Sequence, residues 1–254
     1  MAATYTIKPI EVGRILYYRG AFTSNQDQYK ERDWFPVLVF LIEGNGRKIL
    51  VDTGCGDPEM ESMKRCYHGP VERLPDEVPD AALRKIGVDP DEIDTVILTH
   101  LHHDHSYNNQ LFPKADFYLQ RKELLFASAP YPKFSITYEA PENGVIPQWL
   151  RDGIKWKIID GDLQLAEGLR IVTLPGHSPG LQGVLVDTTD GPYLLPSDAL
   201  PLYENFEDGV FRLSGLCASM EDFYATFDKI KSFNATIIPS HDPRVSAVRQ
   251  FPEK

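Results

Sequence analysis

The 254-residue chain is long enough to bury a large hydrophobic core, and we expect residues 1–254 to form a single domain. The formal net charge of −11 argues against nucleic acid as a partner, because phosphate binding requires clustered lysine and arginine. No apolar run is long enough to span a bilayer, and the N-terminus lacks the pattern of a secretory signal, so we predict no membrane partner and a cytoplasmic location.

The three cysteines are odd in number and form no C-x-x-C pair; they are Cys55, Cys66 and Cys217. This usage is typical of reduced, structural thiols rather than of a disulfide framework. The same spacing argues against a thiolate metal site.

The N-terminal region predicts two short strands followed by a polar connection. Residues 4–18 alternate in polarity around Pro9 and Gly13, and residues 19–34 form a candidate lid. The aromatic residues of this region either line a pocket or belong to the ordinary core; they are Tyr18, Phe22, Trp34 and Phe35.

A strong hairpin signal comes next. Residues 35–42 form a continuous apolar run, and Asn45-Gly46 turns the chain into a second strand over residues 48–51. Asp52 follows that strand directly. Because a buried carboxylate requires hydrogen bonds, Asp52 either orients a metal-binding histidine or caps the turn.

The rest of the chain alternates between strand and helix patterns. Amphipathic helices are predicted near residues 80–87, 121–127 and 219–232, with Ser219 as the N-cap of the last. Strands are predicted at residues 115–119, 154–159, 169–174, 184–186, 193–195 and 235–238. Two irregular stretches, 55–78 and 128–153, are predicted to lie at the surface and are candidate walls of the substrate site. His68 in the first stretch is expected to be exposed rather than a ligand.

Residues 95–109, TVILTHLHHDHSYNN, contain the densest chemical signal. The apolar residues 95–98 predict a buried strand that delivers the polar cluster at its C-terminal end. His100 and His102 can approach one metal, while Asp104 and His105 serve a second. His103 occupies the spacer position and is interpreted as supporting or solvent-facing. The alternative is a histidine-rich strand end that binds no metal.

Three further strands end in residues that can bind metals. The strand at 169–174 leads to His177, the strand at 193–195 to Asp198, and the strand at 235–238 to His241. Each alone could be a turn or core residue. Together with the cluster they supply nitrogen ligands for two ions and one carboxylate able to bridge them.

The motifs VDTG at 51–54, THLHHDH at 99–105, LPGHSPG at 174–180, SDA at 197–199 and PSHD at 239–242 resemble the metallo-β-lactamase superfamily. That resemblance implies an αββα sandwich, in which two mixed β-sheets pack face to face with helices outside. It further implies that His100, His102 and His177 bind the first metal, that Asp104, His105 and His241 bind the second, and that Asp198 bridges both.

Within the superfamily the chain looks most like the N-acyl-homoserine lactonases and related lactone hydrolases. Those enzymes usually carry a tyrosine three residues after the bridging aspartate, where this chain has Pro201. Either Tyr203 or Tyr107 is the predicted substitute, helping to stabilise the oxyanion of the tetrahedral intermediate.

The resemblance implies a metal-dependent hydrolase that opens a lactone ring with a hydroxide shared by two divalent ions, with Asp104 passing a proton to the leaving alkoxide. Zn²⁺ suits the ligands best, and iron, manganese or cobalt also fit. The partner would be a small-molecule lactone, and a homodimer is compatible with the sequence. The alternatives are a thioester hydrolase like glyoxalase II and an iron-dependent redox protein of the same fold.

Overall fold

Two mixed β-sheets form the centre of the protein. The computed structural model describes residues 4–59, 70–139, 144 and 146–253, so Cys66 and His68 lie outside the described residues. The strands, in chain order, are β1 Thr6–Tyr18, β2 Arg32–Gly44, β3 Arg47–Val51, β4 Val71–Glu72, β5 Thr95–Ile97, β6 Asp116–Gln120, β7 Lys155–Ile159, β8 Leu163–Ala166, β9 Leu169–Thr173, β10 Gln182–Thr188, β11 Gly191–Leu195 and β12 Thr236–Ile237.

The α-helices within the described ranges, numbered in chain order, are α1 Gly20–Thr23, α2 Pro79–Lys85, α3 Arg121–Ser128, α4 Met220–Ser232 and α5 Pro243–Ser246. The three helices predicted from the sequence correspond to α2, α3 and α4. Ser219 caps α4 as predicted, accepting a hydrogen bond from the backbone N–H of Asp222.

The first sheet has seven strands in the order β4-β1-β2-β3-β5-β6-β7. Strands β1, β2 and β3 pair antiparallel, whereas β3, β5, β6 and β7 pair parallel. The hairpin between β2 and β3 is confirmed. Its turn residues Asn45 and Gly46 have φ values of 52° and 75°, as a two-residue turn matched to the strand twist requires.

The prediction of two short strands over residues 4–18 is wrong, because β1 is one strand of 13 residues. Pro9 pairs with Phe40 inside it, and the register shifts between Glu11 and Arg14. Gly13 lies at that shift with a φ of 131°, a conformation that glycine adopts without strain. The irregularity therefore bends a continuous strand instead of ending it.

The second sheet has five strands in the order β12-β11-β10-β9-β8, antiparallel except for the parallel pair β11 and β12. Buried side chains of both sheets share one apolar layer, in which Phe40 and Ile97 of the first sheet join Ile171 and Val184 of the second. The two sheets therefore pack face to face.

Helices cover the outer faces of both sheets. Ala82 and Leu83 of α2 belong to the core on the outer side of the first sheet, and Phe223 and Phe227 of α4 to the core outside the second. This is the αββα arrangement expected from the sequence. No helix in the described ranges is long and apolar enough to cross a bilayer.

Candidate metal centre

Seven buried or nearly buried side chains converge where several strands end. They form three overlapping groups, and within each group one potential ligand atom per residue lies within 4.8 Å of the others. The groups are His100, His102 and His177; His100, His105 and Asp198; and Asp104, His105 and His241. These are the seven residues that the sequence predicts as metal ligands.

The first group is built from imidazole nitrogens. Nδ1 of His102 lies 2.9 Å from Nε2 of His100 and 3.1 Å from Nε2 of His177. The other nitrogen of His177, Nδ1, donates to the backbone carbonyl of Leu216 at 3.0 Å. That hydrogen bond places the proton on Nδ1, so the Nε2 lone pair points into the group.

The third group, Asp104, His105 and His241, combines two imidazoles with a carboxylate. Oδ2 of Asp104 lies 3.7 Å from Nε2 of His105 and 3.9 Å from Nε2 of His241. Nδ1 of His241 donates to the carbonyl of Pro36 at 2.9 Å, and Nδ1 of His105 donates to Asp52 at 2.8 Å. Both rings therefore present Nε2 to the group.

Asp198 belongs to the middle group and lies between the first group and the third. Its Oδ1 is 3.4 Å from Nε2 of His105 and 3.2 Å from Nε2 of His241, while its Oδ2 is 3.4 Å from Nε2 of His177. Ser240 donates to Oδ1 at 2.9 Å and restrains the carboxylate. One oxygen thus faces each group, which is the geometry that a bridging ligand needs.

Asp52 performs both of the roles that the sequence left open. It accepts hydrogen bonds from the backbone N–H of Thr99 at 2.7 Å and from its hydroxyl at 2.8 Å, as well as from His105. The φ of Asp52 is 64°, in the left-handed region, which turns the chain sharply at the end of β3. The same carboxylate therefore shapes the turn and orients a histidine.

Burial and neighbouring charges divide the histidines into two kinds. Burial lowers the pKa of His100, His102 and His177, so their rings stay neutral and can bind a metal. Burial also opposes protonation of His105 and His241, but nearby carboxylates outweigh it and raise the pKa of both. Burial alone would raise the pKa of Asp198. The neighbouring rings of His241, His105 and His177 outweigh burial and hold that pKa well below its usual range.

The cluster contains buried ring nitrogens that have no hydrogen-bond partner among the described residues, and this bears on whether metal ions fit there. Nε2 of His105 and Nε2 of His241 are buried and make no hydrogen bond to any residue in the described part of the chain. A buried polar atom left without a partner is costly, and native proteins rarely tolerate it. Cations held between these nitrogens and Asp198 would satisfy both atoms, so the donor set fits two divalent ions.

Comparison with known proteins identifies the family. The sequence model of a family described as the Metallo-beta-lactamase superfamily matches residues 32–241, which is most of the chain. The chain belongs to the metallo-beta-lactamase superfamily. An N-acyl homoserine lactonase from Bacillus cereus is 31% identical over 182 residues, covering 69% of this chain and 68% of that protein. A second, from Azorhizobium caulinodans, is 29% identical over 225 residues and 82% of each chain.

A solved structure extends this likeness to the whole chain. It is an N-acyl homoserine lactone hydrolase with the product N-hexanoyl-L-homoserine bound at its catalytic metal centre. The match has a TM-score of 0.81 and 25% sequence identity, and it covers 100% of this chain and 99% of that chain. The fold predicted from the sequence is therefore confirmed.

A cavity of about 230 Å³ opens above the cluster of this metallo-beta-lactamase chain. Among its lining residues, His102, Asp104, His177 and Asp198 form the floor. The walls come from three separate segments and are mostly apolar; they include Ile15, Tyr17, Ala21, Phe22, Tyr29, Lys133, Thr137, Ser214, Gly215 and Leu216. His103 also lines the cavity, and because its side chain is only 3% exposed, it is not solvent-facing.

The two tyrosines predicted for catalysis lie elsewhere. Tyr107 is buried beside Gly56, where a Cβ on the glycine would come within 2.6 Å of the tyrosine ring. The guanidinium of Arg244 stacks 4.5 Å from the ring centre of Tyr203. Neither tyrosine lines the cavity. Of the aromatic residues predicted for the lid region, Phe22 does, whereas Phe35 is fully in the core.

Glu123 on α3 supports the loops of the cluster, although no motif in the sequence identifies it. Its buried carboxylate accepts hydrogen bonds from the backbone N–H groups of Leu101 and Gly180 and from the hydroxyls of Tyr138 and Ser178. It therefore ties the loop of His100 and His102 to the loop of His177. The only signal in the sequence is a carboxylate within a helix that must pack against the first sheet.

Proposed function

We propose that the protein is a dinuclear metal-dependent hydrolase that opens the ring of an N-acyl homoserine lactone or a related lactone. One observation carries this proposal: the carboxylate of Asp198 lies between two groups of ligands on the floor of a largely apolar cavity. The likeness to N-acyl homoserine lactonases adds the substrate class.

We assign His100, His102 and His177 to one ion, Asp104, His105 and His241 to the other, and Asp198 to both. The three groups support this assignment, since Asp198 shares the middle group with His100 of the first proposed site and His105 of the second. Imidazole and carboxylate ligands suit Zn²⁺, which we propose as the metal. Two such ions would lower the pKa of a shared water, generating the nucleophile, and polarise the substrate carbonyl.

The side chains of the site supply the remaining functions. Asp104 lines the cavity and is the most exposed of the proposed ligands, with 13% of its side chain accessible. It is therefore the carboxylate best placed to pass a proton to the leaving ring oxygen. The apolar wall formed by Ile15, Phe22 and Leu216 offers a surface for an acyl chain and excludes water from the reacting ester.

The role predicted for Tyr203 or Tyr107 is open to a direct test. Loss of turnover in Tyr203→Phe or Tyr107→Phe, with unchanged metal content, would support the sequence prediction. Because both rings lie away from the cavity lining, such a loss would require substrate or loop movement that brings the hydroxyl to the site.

The proposed activity is tested by proton release in a pH-stat, using zinc-loaded protein and a panel of lactones and thioesters. Lactone turnover that disappears in Asp198→Ala and persists in Asp228→Ala is the expected result. Asp228 is a suitable control because its side chain is 84% exposed, on the surface of α4. Turnover of thioesters alone would transfer the assignment to the thioester hydrolases.

Metal content decides the remaining alternative. We expect two zinc ions per chain and no visible absorption after purification from medium with balanced metals. Stoichiometric iron with a visible absorption band, together with no hydrolysis of lactones or thioesters, would favour an iron-dependent redox protein. The free thiols of Cys55 and Cys217 support our further proposal of a cytoplasmic location, where thiols stay reduced.

A further inference from the structure

Tyr17 combines three properties that the metal cluster does not explain. It lies near the C-terminal end of β1 and lines the cavity with Asp104 and Asp198. Its ring is held by edge contact with Phe22, whose centroid is 6.1 Å away at an interplanar angle of 76°. Its hydroxyl makes no hydrogen bond to any residue of the described ranges. A largely buried phenol that lacks a partner is available to a ligand in the cavity.

The electrostatic setting of this phenol is also defined. Burial raises the pKa of Tyr17, and the negative charge of Asp104 raises it further. The phenol therefore keeps its proton at neutral pH and can act as a hydrogen-bond donor. Tyr17 and Asp104 both line the cavity, so a ligand bound there can contact both side chains.

We propose that Tyr17 is a catalytic residue that donates a hydrogen bond to the leaving ring oxygen of the lactone. This inference rests on the proposed function, in which Asp104 delivers a proton to that same oxygen. Because both side chains line one cavity of about 230 Å³, we place the ring oxygen of the bound lactone between Asp104 and the phenol. Tyr29 also lines the cavity, but it is 46% exposed and so less able to order a hydrogen bond.

Ring opening by this route consumes only the lactone and one water molecule. Hydroxide adds to the carbonyl carbon, and the bond between that carbon and the ring oxygen then breaks, with its electron pair going to the oxygen. The proton lost by the attacking water reaches this oxygen through Asp104. Tyr17 keeps its own proton throughout, and its hydrogen bond strengthens as negative charge develops on the leaving oxygen.

The test compares two leaving groups in the zinc-loaded enzyme. A lactone that expels an alkoxide, such as an N-acyl homoserine lactone, develops more charge on the ring oxygen than dihydrocoumarin, which expels a phenolate. In Tyr17→Phe we expect kcat to fall at least about tenfold on the first and less than about twofold on the second, with KM nearly unchanged. Equal losses on both lactones, or no loss on either, would overturn the proposal.

Two further measurements separate this role from a structural one. Metal content and the thermal unfolding midpoint should match wild type, and calorimetry should show about fivefold weaker binding of the ring-opened hydroxy acid to Tyr17→Phe. Tyr224→Phe removes a hydroxyl from an exposed position on α4 and serves as the control. Wild-type protein that turns over no lactone would refute the proposed function itself, whereas an active wild type with an unimpaired Tyr17→Phe refutes only this inference.

Discussion

Nδ1 of His105 lies 2.8 Å from Oδ2 of Asp52, and both side chains are buried. The carboxylate can only accept, so the imidazole must donate from Nδ1 and present Nε2 toward Asp104 and Asp198. Asp52 is not one of the seven proposed ligands. It determines which nitrogen of a proposed ligand can bind a metal.

Replacing this carboxylate should weaken metal binding while leaving the ligands themselves in place. In Asp52→Asn, the amide offers only one acceptor oxygen for the donors of Thr99 and His105, so the His105 ring loses its fixed tautomer. We expect zinc affinity to fall about 10–100-fold in competition with a chromogenic chelator. Asp228→Asn, on the exposed surface of α4, should keep wild-type affinity. Equal affinities in the two variants would refute the orienting role.

The four hydrogen bonds accepted by Glu123 predict a large effect on stability. Glutamine at this position has one acceptor oxygen and a donor amide, which leaves at least one buried partner such as Gly180 N–H unsatisfied. We expect Glu123→Gln to lower the free energy of unfolding in urea by about 2–4 kcal/mol. Glu221→Gln, at the exposed start of α4, is the control. A urea midpoint close to that of the wild type would contradict the prediction.

Removal of metal should destabilise the whole fold, because the ligands come from loops that follow different strands. Without ions, buried Nε2 atoms of His105 and His241 have no hydrogen-bond partner in the described structure. Free zinc at about 100 times its dissociation constant would stabilise the folded state by about 2.7 kcal/mol. Scanning calorimetry before and after chelation should therefore show a lower midpoint that returns when zinc is added. Superimposable melting curves would mean that the cluster binds no structural ion.

Cys55 predicts a pH dependence of stability. Burial raises the pKa of its thiol from 9.0 to about 12. The folded state thus holds a proton that the unfolded chain releases near pH 9, and stability present below that pH is lost as pH rises toward 12, at about 1.4 kcal/mol per unit.

Unfolding in urea between pH 7 and about pH 11 measures this effect. The difference in unfolding free energy between wild type and Cys55→Ala should shrink above pH 9, since alanine has no proton to release. Val88→Ala also empties buried space without changing a titratable group, so its difference from wild type should stay constant. A constant difference for both variants would mean that the thiol of Cys55 titrates normally.

Much of the site could be predicted from the sequence because strand ends are local signals. An apolar run followed within three residues by His100 or Asp198 identifies both the strand and the loop that carries the ligand. Parallel neighbours such as β3 and β5 then bring their C-terminal ends to the same edge of the sheet. The parallel pair β11 and β12 does the same in the second sheet for the segments that carry Asp198 and His241.

Contacts between distant segments could not be predicted in the same way. Glu123 meets Ser178 across 55 positions of sequence, and Tyr17 reaches the cavity only because β1 pairs with β2 in one particular register. The cavity walls depend on loop conformations that carry no periodic pattern. Tyr107 and Tyr203 are the tyrosines that lie near the motifs in the sequence, whereas Tyr17 and Tyr29 line the cavity in the structure.

The floor and walls of the cavity have unequal freedom to change. Its floor residues, such as His177 and Asp198, are buried and held by hydrogen bonds to Leu216 and Ser240. Apart from Tyr17, many wall residues lie in connecting segments, and several, such as Phe22 and Leu216, have apolar side chains. Substitutions in the walls can therefore alter which ester enters while the reaction survives. Homologous enzymes can therefore diverge in substrate specificity while keeping the same catalytic reaction. Mutant libraries aimed at the walls should yield new specificities more often than inactive enzymes.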